Sequence, residues 1–458
     1  MKIVVLNGSP KGDESVTMQY VAYIRKKFPG HEYHIINAGS DIRKIEKDAA
    51  LFSSISEKVR STDLVLFAFP LYYLLVSSQF KRFIEILFER NAADAFRGKY
   101  CASLSTSIHF MDHIAHQYIH AVCDDLGMKY CGCYSAEMED LLDAEERLRL
   151  EKFVRLLVSD VEDGVAVQRE NAPLVWPALS YAPGIPHGST ETAGKKIVIL
   201  TDEKDGLANA AKMAARMRSA FAGNGTVEMI NIHNVDIRGG CLGCLQCGYD
   251  NRCIYTDGYR DFFEQKLLPA DIIVMAGTVH DRYLSSKWKQ FFDRSFFLGH
   301  TPEFAGKQIG FVIGGPLQQV PHIRAALTAW ADNQKCNALF VTDEVTGSTE
   351  LDALIDAMAS RLVEAAAAEY IPPPTFYAVG GHKIFRDAIY GGMRLPFQAD
   401  YRYYVEHGMF DFPQKDLRTR LFNAVIIPLL RIPGFRKRVF ADIKRHMVEP
   451  FAAVLEEA

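Results

Sequence analysis

The sequence has no apolar run approaching the ~18 residues that a membrane-spanning helix needs, so no span is expected. It has no large excess of charge of either sign. The formal balance is -4 over 458 residues, which gives no overall pull toward nucleic acid. No basic leader with an apolar core opens the chain: Lys2-Ile-Val-Val-Leu6 reads as a strand from the outset, and the expected location is the cytoplasm. In that reducing compartment nine cysteines are expected as ligands and core residues rather than as a disulfide framework. The loop after the first strand lacks Gly-x-Gly-x-x-Gly, which argues against a standard dinucleotide fold. What is present is 48% hydrophobic residues, in a chain long enough for at least two substantial cores.

The cysteines are unevenly placed. Cys241, Cys244, Cys247 and Cys253 fall within thirteen residues, the first three at a two-residue stagger. Such a loop can wrap a cubane whose irons each take one thiolate, so the spacing points to an iron-sulfur cluster. Zinc is the alternative, although its cysteines usually come as two separated pairs. Cys101, Cys123, Cys131, Cys133 and Cys336 form no comparable group and are expected as small buried hydrophobes.

The chain is internally duplicated. Lys2-Ile-Val-Val-Leu6 recurs as Lys196-Ile-Val-Ile-Leu200 and Asp41-Ile-Arg43 as Asp236-Ile-Arg238, at offsets of 194 and 195. Ser77-Ser-Gln-Phe-Lys81 then matches Ser285-Ser-Lys-Trp-Lys289, and Gly98-Lys99 matches Gly306-Lys307, both at 208. The offset grows by the 13 residues from Cys241 to Cys253, so the cysteine loop reads as an insertion in the second copy.

Within the first copy, strand-like runs (Ile3 to Leu6, Leu64 to Phe69, Tyr100 to Leu104) alternate with helical patterns (Thr17 to Lys27, Phe80 to Phe88, His113 to Leu126). Alternation predicts an α/β fold with a doubly wound parallel sheet in each copy. Ligands then sit beyond the carboxyl ends of the strands. The first such loop offers Ser9, Ser15 and Thr17 hydroxyls, a close-approach Gly8 and a helix N-terminus, which suits a phosphate monoester; an ordinary turn capped by Ser15 is the alternative. The second, Phe69-Pro-Leu-Tyr-Tyr-Leu74, can lie along a flat heteroaromatic ring, though aromatics at a strand end also serve as core. Ser105-Thr-Ser107 adds a third polar edge.

Together Gly8-Ser-Pro-Lys11 with Ser15 and Thr17, Pro70-Leu-Tyr-Tyr73 and the Cys-x2-Cys-x2-Cys-x5-Cys run resemble the iron-sulfur flavoproteins of the NADPH-dependent FMN reductase superfamily. The resemblance implies two tandem flavodoxin-like domains, FMN phosphate at Ser9, Pro10, Lys11, Ser15, Val16 and Thr17, and the flavin ring against Pro70, Leu71, Tyr72, Tyr73, Ser105, Thr106 and Ser107. It also implies a 4Fe-4S cluster on Cys241, Cys244, Cys247 and Cys253, with NAD(P)H as a candidate cosubstrate. The expected domains are 1–167, a linker 168–194, 195–370, and a helical, basic extension 371–458.

The two copies depart from that pattern in complementary ways. Where the first has Gly8, Ser9 and Lys11, the second has Asp202, Glu203 and Asp205, which repel a phosphate dianion. Thr278-Val-His-Asp281 replaces the ring platform, while the first copy has no cysteine loop. The linker is rich in proline, alanine, serine and glycine, and it is long enough for the copies to pair about a pseudo-twofold. His109, His113, His116 and His120 share one helix face. Structural packing competes there with a metal stripe and with proton donation near the flavin by His109 or His113. Lys415 to Arg445 holds nine basic against two acidic residues among apolar ones, which suits an anionic membrane surface or an acidic carrier such as ferredoxin, or else a helical cover over the core or a dimer interface. The expected function is a flavin-dependent oxidoreductase linking NAD(P)H or ferredoxin to a small organic acceptor, with a homodimer open. The alternatives are an electron carrier or redox sensor without an organic substrate, and a zinc-held interaction protein.

Overall fold

The structure is a computed structural model that describes residues 1–186, 190–204, 206–411 and 417–457; Asp205 and Lys415, named above, lie outside the described residues. Two five-stranded parallel sheets carry the fold. The first consists of β1 (Lys2–Asn7), β2 (Glu32–Ile36), β3 (Leu64–Pro70), β4 (Tyr100–Ser107) and β5 (Lys129–Glu137), in the order β2-β1-β3-β4-β5. The second consists of β6 (Lys196–Thr201), β7 (Thr226–Asn231), β8 (Ile272–Thr278), β9 (Gln308–Gly314) and β10 (Asn337–Thr342), in the order β7-β6-β8-β9-β10. This is the flavodoxin-like order written twice. Register is duplicated as well: Ile3 pairs Leu64 in the first sheet, and Ile197 pairs Ile272, at the equivalent positions, in the second. Helices on both faces bury the central strands, which explains their continuous Ile, Val and Leu content.

Matching serines start the matching helices. Ser77 accepts from the Phe80 amide ahead of the helix Ser78–Glu89, and Ser285 accepts from the Trp288 amide ahead of Ser286–Arg294. These two helices pack together, and the buried network between them is isologous. The Ser78 amide donates to Asp293 Oδ2 at 2.7 Å and the Ser286 amide to Glu85 Oε1 at 2.5 Å. Lys81 donates to the His280 carbonyl at 3.0 Å, and Lys289 to the Tyr72 carbonyl at 2.8 Å. Each member of a pair stands 208 positions from its counterpart. Arg43 likewise donates to the carbonyl of Arg238, its own equivalent. One chain has therefore built the twofold contact of a homodimer between its halves, and one apolar cluster runs through both while each half keeps a further cluster of its own.

The copies diverge after their second strands. The first has helices Ile42–Lys47 and Ala49–Arg60, whereas the second has the cysteine loop and the short helical turns Tyr259–Phe262 and Phe263–Leu267. Of the five other cysteines, Cys101, Cys123 and Cys336 are buried, Cys131 is half-buried and Cys133 is exposed. The chain divides into two compact units, Met1–Tyr403 and Tyr404–Ala458, so the first helix of the extension, Phe376–Tyr390, belongs with the sheets. Asp332 anchors it by accepting from the Thr375 hydroxyl at 2.5 Å and the Ala378 amide at 3.0 Å. The second unit contains the helices Leu417–Leu429 and Pro433–Val448. No described helix is long and apolar enough to cross a membrane.

Candidate functional site

A cavity of about 250 Å³ opens at the carboxyl ends of the first sheet's strands. Of the residues expected there, Ser9, Lys11, Ser15, Val16, Pro70, Leu71, Tyr72, Tyr73, Thr106 and Ser107 line it. Pro10, Thr17 and Ser105 are not in its wall. Thr17 is buried and shares a 2.6 Å hydrogen bond with Thr106, tying the first loop to the third. Ser105 serves His116 instead, its Oγ lying 2.8 Å from Nε2.

The first loop is shaped for an anion at the start of the helix Val16–Lys27. Ser15 caps that helix by accepting from the Met18 amide, and Ser9 accepts from the Lys11 amide at 3.2 Å. In the second loop Tyr73 and Leu74 have φ of 39° and 65°, a left-handed pair held by the Tyr72–Leu75 bridge. The second copy keeps this backbone at Asp281 and Arg282, with φ of 45° and 65°, although the side-chain chemistry has changed. The loss there is therefore of aromatic surface, not of the turn.

Neither His109 nor His113 lines the cavity; both are exposed, and His109 pairs with Asp112 at 3.0 Å. His116 is core. Burial lowers its pKa to about 4, and Ser103 and Ser105 bond its two ring nitrogens. His120 stacks on Tyr130 with centroids 4.2 Å apart. Packing explains these last two members of the stripe.

The wall contains residues the sequence did not disclose. Phe110 and Met138 come from the first half, Phe296, His300 and Trp330 from the second, and Phe385, Met393 and Phe397 from the extension. Their rings interlock across the three segments: Tyr73 meets Phe296 at 5.9 Å, Phe296 meets His300 at 5.6 Å, His300 meets Phe385 at 4.1 Å, and Phe385 meets Phe110 at 5.0 Å.

The cysteine loop reaches the same wall. Cys241, Gly243 and Leu245 line the large cavity, and Cys241, Cys244, Cys247 and Cys253 together line a smaller one beside it. Gln79 of the first half donates to the Cys241 carbonyl at 3.1 Å. A Cβ on Gly243, which has φ of 63°, would stand 2.0 Å from Tyr72 Oη, so glycine is required for this approach. Arg294 also lines the smaller cavity. Two of its nitrogens are bonded to Asp257, at 2.7 and 2.8 Å, while its Nε is buried with no partner among the described residues. An orphaned donor beside four cysteines fits an anionic cluster, whose sulfurs accept hydrogen bonds. Burial pushes the Cys241 and Cys247 thiols up to about 12, so holding a metal there requires proton release. Among the described residues no group of three or more His, Cys, Asp or Glu is placed to hold a single metal ion. Arg294 was discoverable by comparing the copies, since it replaces the apolar Ile86 at offset 208.

In the second copy the equivalent groove is filled by the chain itself. Asn209, 194 positions after Ser15, donates to the Leu179 carbonyl at 2.7 Å and accepts from the Tyr181 amide at 3.0 Å. The Trp176 ring lies on Gly315, the counterpart of Ser107, where a Cβ would stand 2.8 Å from it. Gln319 clamps Val175 through both its amide groups, at 2.9 and 2.6 Å. The segment expected as a plain linker is thus a strap over the second copy's counterpart of the flavin loops. In the loop after β6, Asp202 is half-buried, accepts from Ser285, and has its pKa raised to about 6 by desolvation and by the neighbouring Glu203.

Residues 1–144 match the NADPH-dependent FMN reductase family. No curated protein matches the chain. Among solved structures it is similar to the flavoenzyme NAD(P)H:(acceptor) oxidoreductase FerB from Paracoccus denitrificans, at 19% identity over 35% of this chain and 97% of that one, with a TM-score of 0.31. It is also similar to an FMN-dependent NADH-azoreductase from Bacillus anthracis str. Ames Ancestor in complex with FMN, at 13% identity over 36% of this chain and 100% of that one, with a TM-score of 0.25.

Proposed function

We propose that this protein is an FMN- and 4Fe-4S-dependent oxidoreductase that moves electrons between NAD(P)H or a ferredoxin-type donor and a small organic acceptor. The observation that carries this reading is the position of Cys241, which lines both the cavity of the flavin loops and the cavity of the four cysteines. Ser9, Lys11, Ser15 and Val16 would hold the FMN phosphate, and Leu71, Tyr72, Tyr73, Thr106 and Ser107 the ring. Cys241, Cys244, Cys247 and Cys253 would hold the cluster, with Arg294 Nε donating toward it. FMN supplies two-electron chemistry and the cluster one-electron exchange; the chain positions them and excludes water. The apolar cavity favours an enzyme over a bare carrier, because a carrier has no use for enclosed space beside its flavin.

The test is anaerobic purification with flavin, iron and sulfide analysis, followed by rapid mixing with NADPH, NADH or reduced ferredoxin. Flavin and cluster should both bleach. A protein without flavin would end the reading, as would a cluster that stays oxidised under accumulated reduced flavin when measured potentials make the transfer downhill.

A further inference from the structure

We propose that Tyr72 serves both cofactor sites at once: it lines the flavin cavity, and its hydroxyl donates a hydrogen bond to a sulfur of the cluster and so raises the cluster's reduction potential. The inference rests on the flavin and cluster reading above and assigns the contact between the two sites to one side chain.

Strand β3 ends at Pro70, and the turn that follows holds Tyr72 by both of its backbone polar groups. The Tyr72 amide donates to the Leu75 carbonyl at 2.8 Å, and the Tyr72 carbonyl accepts from Lys289 at 2.8 Å. The side chain thus leaves from a fixed point. It is half-buried and lines the large cavity beside Cys241, Gly243 and Leu245.

Its hydroxyl lies against Gly243, where a Cβ would collide with it, and Lys11 Cε closes the other side at 3.0 Å from the same point. Gly243 stands between Cys241 and Cys244, and its amide donates to Cys241 Sγ at 3.4 Å. Tyr72 therefore reaches the cysteine loop at a residue that already bonds a candidate ligand sulfur. Among the described residues its hydroxyl has no hydrogen-bond partner. A phenol carries its proton at neutral pH, and cluster sulfurs only accept, so beside them this hydroxyl donates. Phe296 lines both cavities, which makes the surroundings apolar and a bond to a charged acceptor strong.

Comparison of the halves isolates the role. At offset 208 the counterpart of Tyr72 is His280, and the first copy has no cysteine loop to meet it. His280 Nδ1 lies 2.9 Å from Asp281 Oδ2 instead. The phenol stands on the side where sulfur is the acceptor.

An added electron makes the sulfurs more negative, so a donor favours the reduced cluster. The test is an anaerobic redox titration of the protein as purified, with dithionite as reductant and the cluster followed by electron paramagnetic resonance. Tyr72→Phe, which removes the hydroxyl and keeps the ring, should retain its iron and lower the equilibrium constant for reduction about tenfold, or about 59 mV for one electron. Electron-nuclear double resonance of the reduced protein in light and heavy water should show one exchangeable proton coupling fewer than in wild type. His280→Phe, the equivalent change in the other copy, should leave the potential where it is. An unmoved potential in Tyr72→Phe, a full set of couplings in that variant, or an equal shift in His280→Phe would each overturn the proposal. A protein purified without iron and sulfide would sink the cluster reading and this inference with it, whereas a loaded protein with an unmoved potential removes only the role of Tyr72.

Discussion

The Lys289 ammonium donates to the Tyr72 carbonyl at 2.8 Å, so a buried cation from the second half fixes the backbone of a loop that lines the first half's cavity. Burial lowers the Lys289 pKa, opposed by the adjacent Asp293. Replacing Lys289 by Met should cost about 3–5 kcal/mol of stability, because Asp293 is left buried without its cation. FMN affinity should fall with it as the Tyr72–Tyr73 turn loosens, in a titration of flavin-stripped protein. An unchanged FMN dissociation constant would separate that turn from flavin binding.

One FMN per chain is expected. Among the described residues only the first copy presents a serine-lined helix N-terminus, and in the second Asn209 at the equivalent of Ser15 holds the Leu179 carbonyl. Ser9→Asp with Ser15→Asp should abolish flavin binding through like-charge repulsion. Flavin quantified against protein by absorbance checks both statements; two flavins per chain, or one retained in the double variant, would contradict them.

The flavin and the cluster proposed above should be separable by mutation. Cys244→Ala should lose most iron and keep FMN, because the cysteine loop and the flavin loops come from different halves. Arg294→Leu should keep the iron but shift the cluster's potential downward, since a hydrogen bond to a cluster sulfur favours the reduced form. Iron analysis and an anaerobic redox titration distinguish the two variants. Loss of FMN together with iron in Cys244→Ala would show that the sites depend on each other.

Asp202 supplies a pH signature. Its folded pKa, raised to about 6 from 3.8, means that the folded state binds the proton more tightly than the unfolded chain does. Stability from this group therefore increases as pH falls through about 6 and levels off below the unfolded value. Asp202→Asn should be more stable than wild type at pH 7.5, an advantage that shrinks toward pH 5. Denaturant melts across that range decide it; a parallel pair of pH profiles would be the contrary result.

The unit Tyr404–Ala458 exposes Leu421, Phe422, Val425, Phe440 and Met447 by more than half, among exposed Arg420, Arg436 and Lys437. Helices of this make-up settle into anionic interfaces. The full chain should sediment with phosphatidylglycerol vesicles at low salt and be released at high salt, and a chain ending at Tyr403 should not bind. Equal sedimentation with neutral phosphatidylcholine vesicles, or a salt-insensitive dimer instead, would count against a lipid surface.

Much of the architecture was written in the sequence because duplication is a comparison of the chain with itself. The shift from offset 195 to 208 located the cysteine loop, and equal serines foretold equal helix starts at Ser77 and Ser285. Ser9, Ser15 and the Pro70–Tyr73 loop were legible because the ends of parallel strands converge by topology. His300 with Asp400 was not, since a contact spanning 100 positions leaves no local pattern. The histidine spacing drew attention to His109 and His113, but His109 stands ahead of the helix Asp112–Asp125 with φ of 61°, and within that helix His113 is exposed while His116 is buried, so the four do not share one face. The strap was read as a spacer because an irregular segment that follows a groove has no period of its own.

That strap makes the chain's asymmetry hard to reverse. Rebuilding Gly-Ser-Pro-Lys chemistry at positions 202–205 would restore the charge balance for a phosphate and still leave Trp176 on Gly315 and Leu179 on Asn209. A glycine-serine spacer of equal length would do the opposite, uncovering Gly315 to water while the carboxylates stay in place. A second flavin site is therefore at least three separate changes away, in the phosphate loop, in the strap and in the Thr278–Asp281 turn that has no aromatic surface, and no one of them has any benefit without the others.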